Sequence, residues 1–286
     1  MEGFLLVDKP KGITSFYCLK QLRKIFNMKR IGFVGTLDPL ATGLLIFALG
    51  ELTKLITFLE KKDKKYEAVI RLGAESDTYD ADGKIRKLED PRKPEEKEIK
   101  KFLKEEFTGE IMQAPPAYSA IQIEGKRAHE LARKNKKVIL KKRSVKIYKI
   151  DILSYKWPTL KLRIVCGSGT YIRSLANDLG KALRCGGYVK DLRRLSVGDF
   201  NVKNAKKNDE LSKKDIISPE KMFPNAYHVE LTEDEYKLLS NGAFIDHKDV
   251  VPAREGSLIL SFYKSVCVGV LEVRNGKFKF AKKFNL

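Results

Sequence analysis

The 286-residue chain is long enough for one large core and a small second one, since single cores stop growing at roughly 250 to 300 residues. Its 43% hydrophobic content excludes a mainly disordered chain. No apolar run nears the ~18 residues of a membrane span, and the longest, Leu44 to Leu49, is strand-sized. Charge is more informative: 57 Lys and Arg against 37 Asp and Glu leave +20, which implies a polyanionic partner, nucleic acid or an acidic membrane surface.

The surplus is uneven, because residues 226–286 hold nine basic and eight acidic residues and leave +19 to the first 225. Heat-adapted surfaces account for many charges but not for one sign. Cys18, Cys166, Cys185 and Cys267 are widely spaced, form no C-x-x-C pair and accompany three histidines, so buried free thiols are expected. The start, MEGFLLVDKP, has an acid at its second position and no cleavage pattern, so a cytoplasmic location is expected.

In chain order, Gly3 to Val7 is expected as a strand, followed by a turn at residues 8–12. An amphipathic helix comes next, capped by Thr14 or Ser15, with Phe16, Leu19, Leu22 and Phe26 on its apolar face. IGFVGTLDPLATG (residues 31–43) is turn-rich, LLIFAL reads as a strand, and Glu51 to Glu60 as a helix. Lys64 to Leu72 reads as a strand, SDTYDADG as a turn, and Glu95 to Phe107 as a helix packed through Ile99, Phe102 and Leu103. Residues 126–149 are strongly basic, with nine bases and no acid from Arg133 onward. A solvated helix face is the ordinary reading of such a run, but the single sign favours phosphate contact.

Leu160, Leu162, Ile164 and Cys166 alternate as a half-buried strand, and Arg173 to Arg184 follows as a helix closed by Gly186 and Gly187. The pattern changes near residues 222–225. A Thr232-x-x-Glu235 capping box opens a helix that ends at Asn241-Gly242, and short strands follow around Ile259, Val268 and Phe278. Asn275-Gly276 marks a hairpin between the last two. Strands and helices without regular β-α-β alternation predict an α+β chain, not a Rossmann fold.

Asp38-Pro39 has the form of a helix N-cap before a first-turn proline, and capping is its ordinary reading. Gly35 and Gly43 point instead to a tight loop in which backbone approaches a ligand closely. TYDADGKIRKLE spaces Asp80, Asp82, Gly83 and Glu89 like a calcium loop, but Thr78 holds the first ligand position and no suitable helix precedes it. GSGTYI lacks the Gly-Lys-Ser/Thr ending of a phosphate-binding loop.

Four stretches taken in order, IGFVGTLDPLATGLLIFALGELTKL, KKYEAVIRLGAESDTYDADG, APPAYSAIQIEGKRAHELAR and CGSGTYIRSLANDLGKALRCGGYVKDLRRLSVG, resemble the TruB family of tRNA pseudouridine-55 synthases. They span most of residues 3–200, and the tail is similar to the degenerate PUA domain of many bacterial members. The resemblance implies a catalytic domain over residues 1–224, built on a mixed, mainly antiparallel sheet and carrying a thumb-like insertion at about 118–143. It implies a small β-rich PUA-like RNA-binding domain over residues 225–286.

It further implies that Asp38 is the catalytic carboxylate, Tyr66 stacks on the extruded base, and Arg173 pairs with Asp38. Leu192 would wall the uracil pocket and Lys9 lie near the site. Phe33 stands where the family usually has the histidine that fills the place of the flipped base. In the thumb, Lys126, Arg127, Lys136, Lys137, Lys141 and Lys142 are expected to grip RNA, while Gln122 and His129 replace a usual lysine and tyrosine. Uridine and pseudouridine are isomers, so no cofactor is implied. The implied partner is tRNA, through its T-stem-loop, acted on by a monomer that needs no protein partner and no membrane.

Two rivals share features of this reading. The guide-RNA-dependent relatives also carry GTLDP, but usually have Lys-Val where Leu40-Ala41 stand here, and they lack the thumb-like insertion. A tRNA-binding folding factor with incidental catalysis would not require Asp38, Tyr66 and Arg173 together.

Overall fold

The structure is a computed structural model; residues 1–116, 141–246 and 256–285 are described, with the backbone alone at 122–123 and 126–127. β1 (Gly3–Lys9) turns into α1 (Ser15–Ile25), and β2 (Ile31–Val34) and β3 (Thr42–Leu49) flank the loop that holds Asp38. A 3-10 segment (Gly50–Leu55) runs into the short α2 (Ile56–Glu60). Next come β4 (Lys64–Leu72), the small hairpin of β5 (Ala74–Ser76) and β6 (Ile85–Lys87), α3 (Glu96–Glu105) and β7 (Gly109–Gln113).

A two-residue pair, β8 (Gln122–Ile123) and β9 (Lys126–Arg127), precedes β10 (Arg143–Lys156) and β11 (Thr159–Cys166). α4 (Ile172–Ala182), β12 (Gly187–Val197) and β13 (Phe200–Asn201) follow, and α5 (Pro219–Met222) leads to the C-terminal elements. Those are β14 (Tyr227–Glu230), α6 (Glu233–Ser240), β15 (Ile259–Tyr263), β16 (Val266–Arg274) and β17 (Lys277–Lys283).

The large sheet has the order β1-β3-β12-β4-β11-β10-β7, with β2 beside β3 and β13 beside β12. β3 and β12 run parallel, pairing Thr42 with Arg193, and the other neighbours are antiparallel. This is the mixed, mainly antiparallel α+β sheet that was expected. α1, α3 and α4 close one face, where Leu22, Ile99 and Leu175 meet Phe47, Ala68, Ile70 and Leu162.

On the other face, Phe4, Leu6, Leu44 and Ile46 pack with Leu52 and Leu59, with Leu260 and Val270 from the C-terminal sheet, and with Phe284 just past its last strand. That sheet, ordered β14-β15-β16-β17, has a cluster of its own around Val229, Leu239, Ile259 and Phe278. Residues on both sides of position 225 therefore share an apolar core. The contact is also hydrogen-bonded, with Lys54 Nζ donating to the Lys283 carbonyl at 2.5 Å and Lys282 Nζ to the Lys54 carbonyl at 2.8 Å.

Local details differ from expectation in four places. Phe16 is 54% exposed and Cys18 lies in the core instead. At ~100° per residue, Ser15, Cys18, Leu19, Leu22 and Phe26 cluster on one side while Phe16 falls beyond its edge. Residues 50–55 wind as a 3-10 helix, tightened by Thr53 Oγ1 donating to the Gly50 carbonyl at 2.9 Å. Residues 31–34 are a strand rather than a turn, and the basic run from Arg143 to Lys149 belongs to a strand, not a helix face. The four cysteines are free and buried, the Thr232–Glu235 capping box is formed, and Asn275 and Gly276 both have the positive φ of a tight hairpin turn.

Phe284 is almost fully buried in the shared core. Phe284→Ala should cost about 3 to 5 kcal/mol in chemical denaturation, with a single unfolding transition retained. Two separate transitions, only one of them shifted, would show that the two sheets fold independently.

Candidate active site

Asp38 sits in the loop between β2 and β3, and no helix follows it. The capping reading therefore lapses: the Asp38 carbonyl closes a turn by accepting from the Ala41 N–H at 3.0 Å. The loop is held from both sides. Ser15, at the start of α1, uses one hydroxyl to bond both the N–H and the carbonyl of Leu37, each at 2.9 Å. The Gly12 N–H donates to the Pro39 carbonyl at 2.8 Å. From the opposite side, Arg194 of β12 donates Nε to the Leu44 carbonyl at 2.7 Å and Nη2 to the Gly35 carbonyl at 3.2 Å.

Gly43 explains one of the two flanking glycines. Its φ is +103°, and an added Cβ would stand 2.2 Å from the Arg194 carbonyl oxygen. Only glycine lets the loop pass that close to β12.

Arg173 enters from the first turn of α4 and is 5% exposed. Its Nε lies 3.0 Å from Asp38 Oδ2, and its Nη2 donates to Asp38 Oδ1 at 3.3 Å. The same guanidinium reaches Asp80 Oδ2 at 3.2 Å and donates to the Thr78 carbonyl at 3.0 Å through Nη1. Asp80 is buried, and its Oδ1 accepts from Thr78 Oγ1 at 2.6 Å and from the Asp82 N–H at 3.1 Å. Burial pushes the Asp38 carboxyl above the usual carboxylate value, Arg173 opposes the shift, and Asp80 and Asp82 add to it.

Tyr66 lies on β4, opposite Ile164 on one side and Arg194 on the other. Burial pushes its hydroxyl pKa up, against the pull of the Arg194 cation, so the ring is neutral. Leu192 is buried two residues before Arg194 on β12, and its carbonyl accepts from Thr42 Oγ1 at 3.4 Å. Phe33 is partly buried and meets Phe47 edge-on, ring centres 5.9 Å apart. Asp38 and Arg173 are thus in direct contact, and Arg194 links the Asp38 loop to Tyr66.

Lys9 stands behind this group. It is fully buried, with Nζ donating to the Ile13 and Pro10 carbonyls at 2.7 and 2.9 Å and to Pro39 at 3.4 Å. Burial lowers its pKa, opposed by Cys18 and Asp38. Its donors are directed at the turn below Asp38 rather than at open space. Lys141 and Lys142 are exposed just before β10, Lys126 and Arg127 are described by backbone alone, and Lys136 and Lys137 lie outside the described residues.

Sequence reasoning missed Asp80 and Arg194. Spacing in the sequence suggests only a calcium ligand for Asp80, yet its carboxylate oxygens meet Arg173, Thr78 and the Asp82 N–H. The signal for Arg194 was present in DLRRL: a period of two that turns Leu192 inward turns Arg194 inward as well, and a buried arginine requires partners.

Arg173 is the stronger of the two cations, ahead of Lys9, that oppose the rise in the Asp38 pKa, so Arg173→Gln should raise it further and Asp80→Asn should lower it. Carboxyl ¹³C titration of the two variants checks both directions; a downward shift in Arg173→Gln would break the argument. The sign for stability is fixed too. A folded pKa above the unfolded one means this group favours the fold at low pH, and the contribution is lost as pH rises through the folded value.

The family description "TruB family pseudouridylate synthase (N terminal domain)" matches residues 23–172, and "tRNA pseudouridylate synthase B C-terminal domain" matches residues 173–221. A Clostridium tetani protein named tRNA pseudouridine synthase B is 37% identical over 268 residues, covering 92% of each chain. The synthase of the same name from Borreliella burgdorferi is 38% identical over 283 residues, 98% of each chain. That of Endomicrobium trichonymphae is 46% identical over 205 residues, 72% of this chain and 89% of its own. Among solved structures, a Cbf5-Nop10-Gar1 complex matches in fold with a TM-score of 0.71 at 23% identity, covering 99% of this chain and 84% of that one. Identity of this extent along nearly the whole chain, together with the two family matches, shows that the chain belongs to the TruB family of pseudouridylate synthases.

Proposed function

We propose that this protein isomerises uridine to pseudouridine in tRNA, at position 55 of the T-loop, with Asp38 as the reacting carboxylate. The observation that carries the reading is the two-point pairing of Arg173 with Asp38 inside a loop fastened on both sides. Preorganised charge in a recessed site is what a bond-breaking carboxylate needs. In the reaction the N1–C1′ bond breaks, the uracil turns, C5 bonds to C1′, and the C5 proton is replaced by one at N1. Atoms balance without a co-reactant.

The target base must leave its stack to reach Asp38. Tyr66 and Leu192 supply flat and apolar surface for the extruded base, and Phe33, already packed on Phe47, offers a ring toward the place it leaves. Lys9 acts from beneath by holding the turn at Pro39. The basic segment at about 118–143 serves as an RNA-gripping thumb. Residues 225–286 act as a PUA-like RNA-binding unit attached to a catalytic unit over residues 1–224. The enzyme works alone and as a monomer: relatives at 37 to 46% identity carry the synthase B name, whereas the assembly named with Nop10 and Gar1 is 23% identical. Among the described residues no helix is long and apolar enough to cross a membrane, and a tRNA substrate fits a cytoplasmic setting.

Incubation with one unmodified tRNA transcript, followed by pseudouridine mapping, should give a single product in the T-loop; a product elsewhere would overturn the substrate claim. Asp38→Asn should abolish turnover while leaving tRNA affinity within a few-fold, since it preserves volume and most of the binding surface. Near-normal turnover in that variant would remove Asp38 from its role. Neutralising Lys136, Lys137, Lys141 and Lys142 together should flatten the fall of affinity with salt, because each lost phosphate contact releases fewer counterions. An unchanged slope would return this run to the solvated surface.

A further inference from the structure

Between Asp8 and Asp38 the chain has no acidic residue and seven lysines and arginines. Three of these are engaged: Lys9 is buried, Lys11 pairs with Asp191, and Arg30 pairs with Glu51. Lys20, Arg23 and Lys24 project from α1 into solvent, with no acidic partner among the described residues. On the same outer side, in the first turn, Phe16 and Tyr17 are 54% and 50% exposed. Lys20 carries its ammonium 5.4 Å from the Phe16 ring centre. Single exposed hydrophobic residues need no explanation, but two adjacent rings among unopposed cations form a pattern.

The position of this pattern matters as much as its composition. Ser15, the residue before Phe16, is the one whose hydroxyl fastens both backbone groups of Leu37, next to Asp38. The buried side of α1 is already occupied by Cys18, Leu19 and Leu22 in the core, so the rings are held outward on a fixed support. A membrane-surface helix would keep its rings and cations on opposite faces; here they are interleaved. Stacking rings next to lysines match a nucleic-acid strand, whose bases offer flat faces and whose phosphates offer charge.

We infer that Phe16, Tyr17, Lys20 and Lys24 form a stacking shelf beside the catalytic loop, which receives an unpaired base of the RNA substrate and its neighbouring phosphate. The inference rests on the tRNA reading and adds to it a contact surface separate from the thumb. The shelf reads no sequence, because every base has a stacking face. It steadies the strand next to the uridine while that uridine is out of its stack.

The test uses the full chain and an unmodified tRNA transcript. The double variant Phe16→Ala/Tyr17→Ala should raise the Kd about tenfold, in line with the loss of one base–ring stack. Its single-turnover rate at saturating enzyme should stay within about twofold and its melting temperature should not move. Its salt slope should match that of the unaltered protein, since rings release no counterions. Lys20→Ala/Lys24→Ala should instead lower the slope by about one to two. The exchange Phe16→Tyr/Tyr17→Phe should restore affinity, since it keeps both rings. If the unaltered enzyme forms pseudouridine while the double alanine variant binds as tightly, the shelf is disproved and the function stands. An unaltered enzyme that modifies no tRNA would count against the functional reading itself. Loss of self-association in sedimentation, with RNA affinity unchanged, would assign the rings to a second copy of the chain and also overturn the shelf.

Discussion

The site turns on one guanidinium shared by two carboxylates. Arg173 faces Asp38 with Nε and Nη2 and Asp80 with Nη1, so three remote stretches of sequence meet at a single planar group. Each stretch is brought there by the sheet: the Asp38 loop by β2 and β3, Asp80 by its bridge to Val189 on β12, and Arg173 by α4, whose inner face packs on the same core. Burial alone would favour a neutral Asp38, and the cation opposes that. Lys9 adds a weaker pull in the same direction as Arg173, while Asp80 and Asp82 push the other way.

Fixing the arginine would achieve little if the Asp38 loop could drift. Although residues 35–41 have no regular secondary structure, their neighbours supply the missing order. Leu37 is bonded through both backbone groups to Ser15, Pro39 accepts from Gly12 and Lys9, and Gly35 accepts from Arg194. Backbone groups left without partners in such a place would be costly. Two buried cations, Lys9 and Arg194, therefore serve as structural donors to carbonyls. Neither needs to touch substrate to matter for the geometry at Asp38.

Much of the fold was legible in the sequence, and the limits have physical causes. Alternation at Leu160, Leu162, Ile164 and Cys166, the Thr232–Glu235 box and the Asn275-Gly276 turn are local signals, and local structure obeyed them. Residue type alone puts Phe16 in the core, but at ~100° per residue it lies beyond the apolar arc that Cys18 completes. The shared core of Phe4, Leu44, Leu260 and Phe284 could not be read, since alternation shows that a strand has an apolar face but not what lies against it. At the site, Gly35 and Gly43 marked a close-approach loop from residue chemistry alone, whereas pairing Asp38 with Arg173 came through family resemblance. The pairing of Asp80 is not legible because Arg173, its partner, stands 93 positions further along the chain, a distance that no local spacing encodes.

β7 ends at Gln113 and β10 begins at Arg143, and these two residues are register partners on one rung. The chain leaves the sheet and returns to it at the same place. Gln113 marks the departure firmly: its side chain bonds both backbone groups of Tyr171, at 3.0 and 2.7 Å, and Ser174 Oγ holds the Ala114 carbonyl at 2.7 Å. The two strands are thus paired up to the rung where the intervening chain begins, and that rung is braced from the start of α4. Doubling the length of a chain that joins two fixed ends costs only ~0.6 kcal/mol of closure entropy, so such a frame sets little limit on the length of what it carries.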